Sequence, residues 1–79
     1  MNSDFFLAQR ILRGDEEALR SFYEAHFGRV YHFVLIRVSG DHHQAEEIVQ
    51  DTFLAGLRAM ERFLGESSLY SWLCGIAKH

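Results

Sequence analysis

The chain has 79 residues and a formal net charge of −3. That is enough for one small domain, and the acidic balance argues against a free-standing nucleic-acid binder, which is normally basic. Hydrophobic residues make up 48% and aromatics 14%, ample for a compact core. That core must be well packed, because a domain of this size has only about a few kcal/mol of net stability.

The single cysteine, Cys74, allows no internal disulfide and suits a reducing compartment, here the cytoplasm. No secretory signal is visible: Phe5 to Ala8 is short and is followed by Arg10 and Arg13. The longest apolar run, Phe33 to Ile36, is far too short to insert across a bilayer. There is no proline, low-complexity tract or internal repeat.

Three glycines, Gly14, Gly40 and Gly65, each close an apolar-periodic run, as at helix C-termini. Asp15 and Asp41 follow two of them as N-caps, and Gln44 completes a capping-box pattern with Asp41. After Gly65, either Ser67 or Ser68 can cap the next helix. The spacing predicts four helices, roughly 3–13, 16–39, 42–63 and 68–79, and no sustained period-two alternation. The expected fold class is all-α, a compact bundle of about four helices.

The second predicted helix carries Leu19, Phe22, Tyr23, Phe27, Val30, Phe33 and Val34 in one arc at about 100° per residue, with His26 among them. Leu35 and Ile36 fall outside that arc. Enclosure by neighbours is expected there, since small bundles surround their longest helix; a partner surface is the alternative. On the third helix, Ala45, Ile48, Val49, Thr52, Gly56, Met60 and Phe63 cluster within about 60° either side of one line. The opposite arc holds Glu47, Gln50, Asp51, Leu54, Arg58 and Glu61. Leu54 is either an ordinary exposed leucine or the apolar knob of a protein–protein contact ringed by charge. The fourth helix has an apolar stripe of Leu69, Trp72, Leu73, Ile76 and Ala77. Its other face, Tyr70, Ser71, Cys74, Gly75 and Lys78, is either a plain solvated surface or one that a backbone or nucleic acid approaches closely.

The stretch AEEIVQDTFLAGLRAMERFLGESSLYSWLCGIAKH resembles region 2 of bacterial sigma factors of the extracytoplasmic-function (ECF) group. It has an acidic residue, an aliphatic pair, Gln-Asp-Thr-Phe, a helix to Arg-Phe, a Gly-Glu-Ser-Ser loop and a Trp-Leu helix, in that order. The preceding GDEEALRSFYEAHFGRVYHFVLIRVSGD looks like the family's earlier helix, and residues 3–13 like its N-terminal one. The resemblance covers nearly the whole chain. It implies a region 2 domain over 1–79, with the −35-reading region 4 and its linker absent.

It further implies a role in transcription initiation without enzymatic chemistry or cofactor. Core RNA polymerase would be bound through the β′ clamp helices, with Glu47, Gln50, Asp51, Leu54 and Arg58 as the contact. The promoter −10 element would be recognised as melted single-stranded DNA by Phe63, Leu64, Gly65, Glu66, Ser67, Ser68 and Tyr70, with Ser71 and Lys78 on phosphates. A flipped base needs an aromatic or apolar wall and polar groups at its edge, and this segment can supply both. An anti-sigma factor that covers the polymerase-binding surface is the further implied partner. Two departures stand out. Gly75 and Ile76 occupy the place where housekeeping members carry a tryptophan pair, which leaves the loop to hold the melted strand. The basic continuation of the last helix is not present, which helps account for the acidic balance.

Two other readings are weaker. Among His26, His32, His42, His43 and the carboxylates, only His43 and Glu47 have a metal-compatible spacing, and no third ligand joins them, so no metal is expected. His26 is expected to be a satisfied core histidine and Cys74 a buried or inert thiol. A pure interaction module that touches no nucleic acid is the remaining alternative; only the FLGESSLYSW segment and the family resemblance speak against it.

Overall fold

The computed structural model describes residues 2–79. They form α1 (Ser3–Leu12), α2 (Glu16–Arg37), α3 (His42–Arg58), a single 3-10 turn (Met60–Arg62) and α4 (Leu69–Ala77). Among the described residues there is no strand. The all-α bundle expected from the sequence is the observed architecture.

Each helix starts on a polar cap. Asp15 and Asp41 accept from the amides of Ala18 and Gln44 at 3.1 Å each. Of the two candidate serines, Ser68 is the cap: its Oγ accepts from the Ser71 amide at 3.0 Å. Such caps satisfy amides that the helix leaves unpaired, each stabilising by about 1 kcal/mol. α1 begins on Asn2, whose Oδ1 accepts from the Phe5 amide at 2.8 Å, a cap the sequence reading did not identify.

Three helices end two or more residues short of expectation, α4 among them, which stops at Ala77 rather than 79. α2 stops at Arg37 rather than 39, because Ser39 and Gly40 turn into positive φ (56° and 81°). α3 stops at Arg58 rather than 63. Beyond it the chain tightens, with the Arg62 amide donating to Ala59 O (2.8 Å) and the Phe63 amide to Met60 O (3.0 Å). A three-residue period keeps Met60 and Phe63 on one side, so both still enter the core.

α2 is the central element and packs against α1, α3 and α4. Phe53 of α3 is buried against Phe22, Tyr23 and Phe27, with ring centroids 5.5, 5.0 and 6.1 Å away. α4 lies close to α3 because Gly56 has no side chain: a Cβ there would stand 2.9 Å from Leu73 Cδ2. His26 is buried, its Nδ1 2.7 Å from Phe22 O, which is the satisfied core histidine expected. Cys74 is buried, as expected of this thiol, although its wheel position lies on the outer face of α4. Leu35 packs on the core, but Ile36 is 67% exposed, so the expected enclosure fails there.

Candidate functional site

The outer face of α3 presents Glu47, Gln50, Asp51, Leu54 and Arg58, all exposed, with Leu54 at 53%. α3 turns this face outward because Val49, Phe53 and Gly56 occupy the buried side. Two recesses flank the face. Gln50 and Leu54 border a groove of about 270 Å³ completed by Phe53, Leu57 and, from α2, Tyr23. Asp51 instead borders a wider recess of about 510 Å³, shared with Ile48, Thr52, Ala55 and the C-terminal end of α4 from Ile76 to His79. Leu54 and Asp51 therefore sit on one helix face but line different hollows. Tyr23 belongs by sequence to the apolar stripe of α2. It is half exposed at the stripe's edge, together with Leu19 one turn earlier, and extends the apolar part of this surface.

His43 Nε2 and Glu47 Oε1 are 4.0 Å apart, both well exposed. Among the described residues no group of three or more potential ligands that could hold a metal ion is formed. This pair is a solvated helix-surface contact of small energetic weight.

The loop between the 3-10 turn and α4 is more differentiated than its sequence suggests. Leu64 is 62% exposed, and Glu66, Ser67 and Ser68 are exposed. Gly65 has φ +77°, the left-handed region that favours glycine. Phe63 is corrected: it is 2% exposed and packs on Trp72 with ring centroids 5.4 Å apart. Its ring is a wall of the core and is not presented to a base. Ser68 spends its hydroxyl on Ser71, accepting from the amide and donating to Ser71 Oγ at 3.2 Å. Ser67 Oγ donates to Ser68 O at 3.1 Å and keeps its lone pairs as acceptors.

Tyr70, at the start of α4, does not offer a free ring on both sides. The Arg29 guanidinium of α2 lies 4.0 Å from its centroid. A hydrogen bond with the Cys74 thiol and partial desolvation push the Tyr70 phenol above its usual pKa. Arg29 begins a row that sequence reading missed. Further along the α2–α4 seam, Arg37 lies 5.5 Å and Lys78 6.0 Å from the Phe33 centroid. Among the described residues none of these three cations is in a salt bridge. The signal was available in the sequence. The chain has 11 Asp and Glu, yet neither 25–40 nor 67–79 contains one. These two segments meet at the seam, so its own residues carry only positive formal charge, interleaved with aromatic rings. Such a row can track the backbone of an anionic polymer.

The geometry thus describes a helical bundle with an acidic, leucine-centred face on α3, and an exposed loop leading into a cationic, aromatic seam. The Sigma-70 region 2 family model matches residues 22–79. The chain belongs to this family.

Its relatives are sigma factors. It is 36% identical over 73 residues to the ECF RNA polymerase sigma factor SigC of Mycobacterium tuberculosis, covering 92% of this chain and 38% of that protein. It is 33% identical over 76 residues to the ECF RNA polymerase sigma-E factor of Escherichia coli, covering 95% and 38%. It is 30% identical over 71 residues to the RNA polymerase sigma-H factor of Pseudomonas aeruginosa, covering 90% and 36%. The chain therefore spans less than two-fifths of the length of these relatives. No solved structure matches it at a significant level. No helix among the described residues is long and apolar enough to cross a membrane.

Proposed function

We propose that this domain acts in transcription initiation as a region 2 module. It docks on core RNA polymerase through the outer face of α3, and it reads the promoter −10 element as a melted single strand through the 64–68 loop and the α2–α4 seam. The observation that carries the reading is the segregation of charge. Exposed Glu47, Gln50, Asp51 and Arg58 flank Leu54 on α3, with the two carboxylates on its N-terminal side, a composition suited to a charged partner with an apolar centre. The seam beside the loop has Arg29, Arg37 and Lys78 and no carboxylate of its own, which suits phosphates. One small acidic domain can hold both partners because it sorts its charges onto different surfaces. An anti-sigma factor would compete for the α3 face, and the site of action is the cytoplasm.

The test is a fluorescence-anisotropy titration of labelled DNA single strands of varied sequence, with and without core polymerase. The reading expects base-dependent binding that strengthens when polymerase is present. Polymerase binding with no strand preference at any concentration would favour an interaction module that does not touch nucleic acid.

A further inference from the structure

The 64–68 loop is held from outside by the first turn of α1, a segment more than sixty residues away in sequence and outside the span that the family model matches. Asn2 Nδ2 donates to Gly65 O and to Ser67 O, both at 3.1 Å, while its Oδ1 accepts from the Phe5 amide at 2.8 Å. The chemistry fixes the orientation of this amide. Two carbonyls can only accept and a backbone N–H can only donate, so a flipped Asn2 would oppose like groups at all three contacts. Two further anchors lie beside it. Asp4 Oδ2 accepts from the Leu69 amide, the first of α4, at 2.8 Å. Phe5 lies so close under Gly65 that a Cβ at Gly65 would stand 2.9 Å from Phe5 Cβ.

The anchors fall at 65, 67 and 69, on alternate residues. They bracket Glu66 on both sides and leave the side chains of Leu64 and Glu66 exposed. Asn2 needs no extra ordering to do this, because capping α1 already fixes its amide. Local capping cannot replace it: Ser68 orders the start of α4 but makes no bond to the 65–67 backbone.

We propose that Asn2, Asp4 and Phe5 are positioning residues for base selection: they clasp the 64–68 loop in the one shape that presents its side chains to a strand. This rests on the loop being the strand-reading element proposed above. A loop that leaves its reading shape binds in proportion to the fraction of time it spends there. Releasing the clasp therefore weakens the preferred strand while leaving weak, sequence-independent binding on the cationic seam.

Asn2→Asp separates the two jobs of Asn2. Aspartate caps a helix as well as asparagine does, so α1 is retained. It has no N–H to donate, and it turns a carboxylate oxygen toward Gly65 O and Ser67 O. Asn2→Ser also keeps a cap and removes both donors without adding a charge. Two measurements are made on the 79-residue chain and both variants, with circular dichroism as the check on the fold. NMR relaxation reads the backbone order of residues 64–68 with no DNA present. Anisotropy with short labelled DNA single strands that differ at one base, with core polymerase added, reads the ratio of best to worst strand.

The expected result is lower order confined to the loop and a fall of about tenfold in that ratio in both variants, with polymerase affinity unchanged. Unaltered loop order in folded variants overturns the clasp. Lowered order with an unaltered ratio overturns its role in base selection. If the unsubstituted chain discriminates among no strands, the proposed function fails and base selection with it, and the order measurement alone then decides whether the clasp exists.

Discussion

Replacing Arg29, Arg37 and Lys78 together by glutamine removes every formal positive charge that residues 25–40 and 67–79 contribute. The three side chains lie along one seam, at 4.0, 5.5 and 6.0 Å from the Tyr70 and Phe33 centroids. Each neutralised phosphate on a single strand adds about 0.7 to the slope of log affinity against log salt. If each cation meets one phosphate, the triple variant flattens that slope by about 2. Glutamine keeps much of the aliphatic stem, and the lost cation–aromatic contacts cost about 0.5–1 kcal/mol each at exposed sites. Stability therefore falls modestly while strand affinity falls steeply at low salt. The assay is an anisotropy titration of single strands at several salt concentrations, with a thermal melt as control. An unchanged slope in a folded variant would refute the seam as the phosphate track.

Three other expectations follow from named contacts. Asp51→Arg combined with Leu54→Glu reverses charge and removes the apolar centre on the α3 face. Affinity for core polymerase should drop by about a few kcal/mol if the contact is desolvated, with the circular dichroism melt retained; full affinity in the folded double variant would show that another face docks. Gly65→Ala places a Cβ at φ +77° and 2.9 Å from Phe5 Cβ, a strain of about 1–2 kcal/mol that should lower the melting temperature by about 5–15 °C. A melt within a degree or two of the parent would mean that the loop relaxes freely. Asp15, bonded to the Ala18 amide and paired with Arg10, has its carboxyl held below its ordinary range. The contribution of its charge is present above the unfolded-state pKa and is lost as pH falls through the folded one. The stability gap between the parent and Asp15→Asn should therefore close below about pH 4; urea melts at several pH values read it, and a gap constant with pH contradicts it.

Much of the fold was legible because its signals are local. Asp15, Asp41 and the Ser67–Ser68 pair announce helix starts through chemistry confined to one turn, and Gly14 and Gly40 announce two of the stops, whereas Gly65 lies in the loop well beyond the end of α3. The end of α3 was misread because Met60 and Phe63 face inward whether the chain winds at 3.6 or at 3.0 residues per turn; the apolar pattern does not distinguish them. Ile36 was misread because enclosure depends on how far neighbouring elements reach, which no periodicity encodes. Of the candidate strand-reading residues, Phe63 belongs to the core, packed on Trp72 as its place in the inward cluster implies, and one face of Tyr70 was taken by Arg29. The seam itself was readable as two stretches without carboxylates, but only their packing against each other turns that composition into a surface. The Asn2 and Asp4 contacts with the loop had no sequence signal, because they join residues more than sixty positions apart through single side-chain bonds.

The central claim is that one small domain meets protein with α3 and nucleic acid with the loop. Photo-crosslinking tests it most directly, with benzoylphenylalanine introduced separately at Leu54 and at Leu64, both exposed, in complexes of the chain with core polymerase and a labelled −10 single strand. The account predicts that position 54 links to a polymerase subunit and not to DNA, and that position 64 links to the strand. Position 54 linking to DNA, or position 64 linking to polymerase alone, would contradict it.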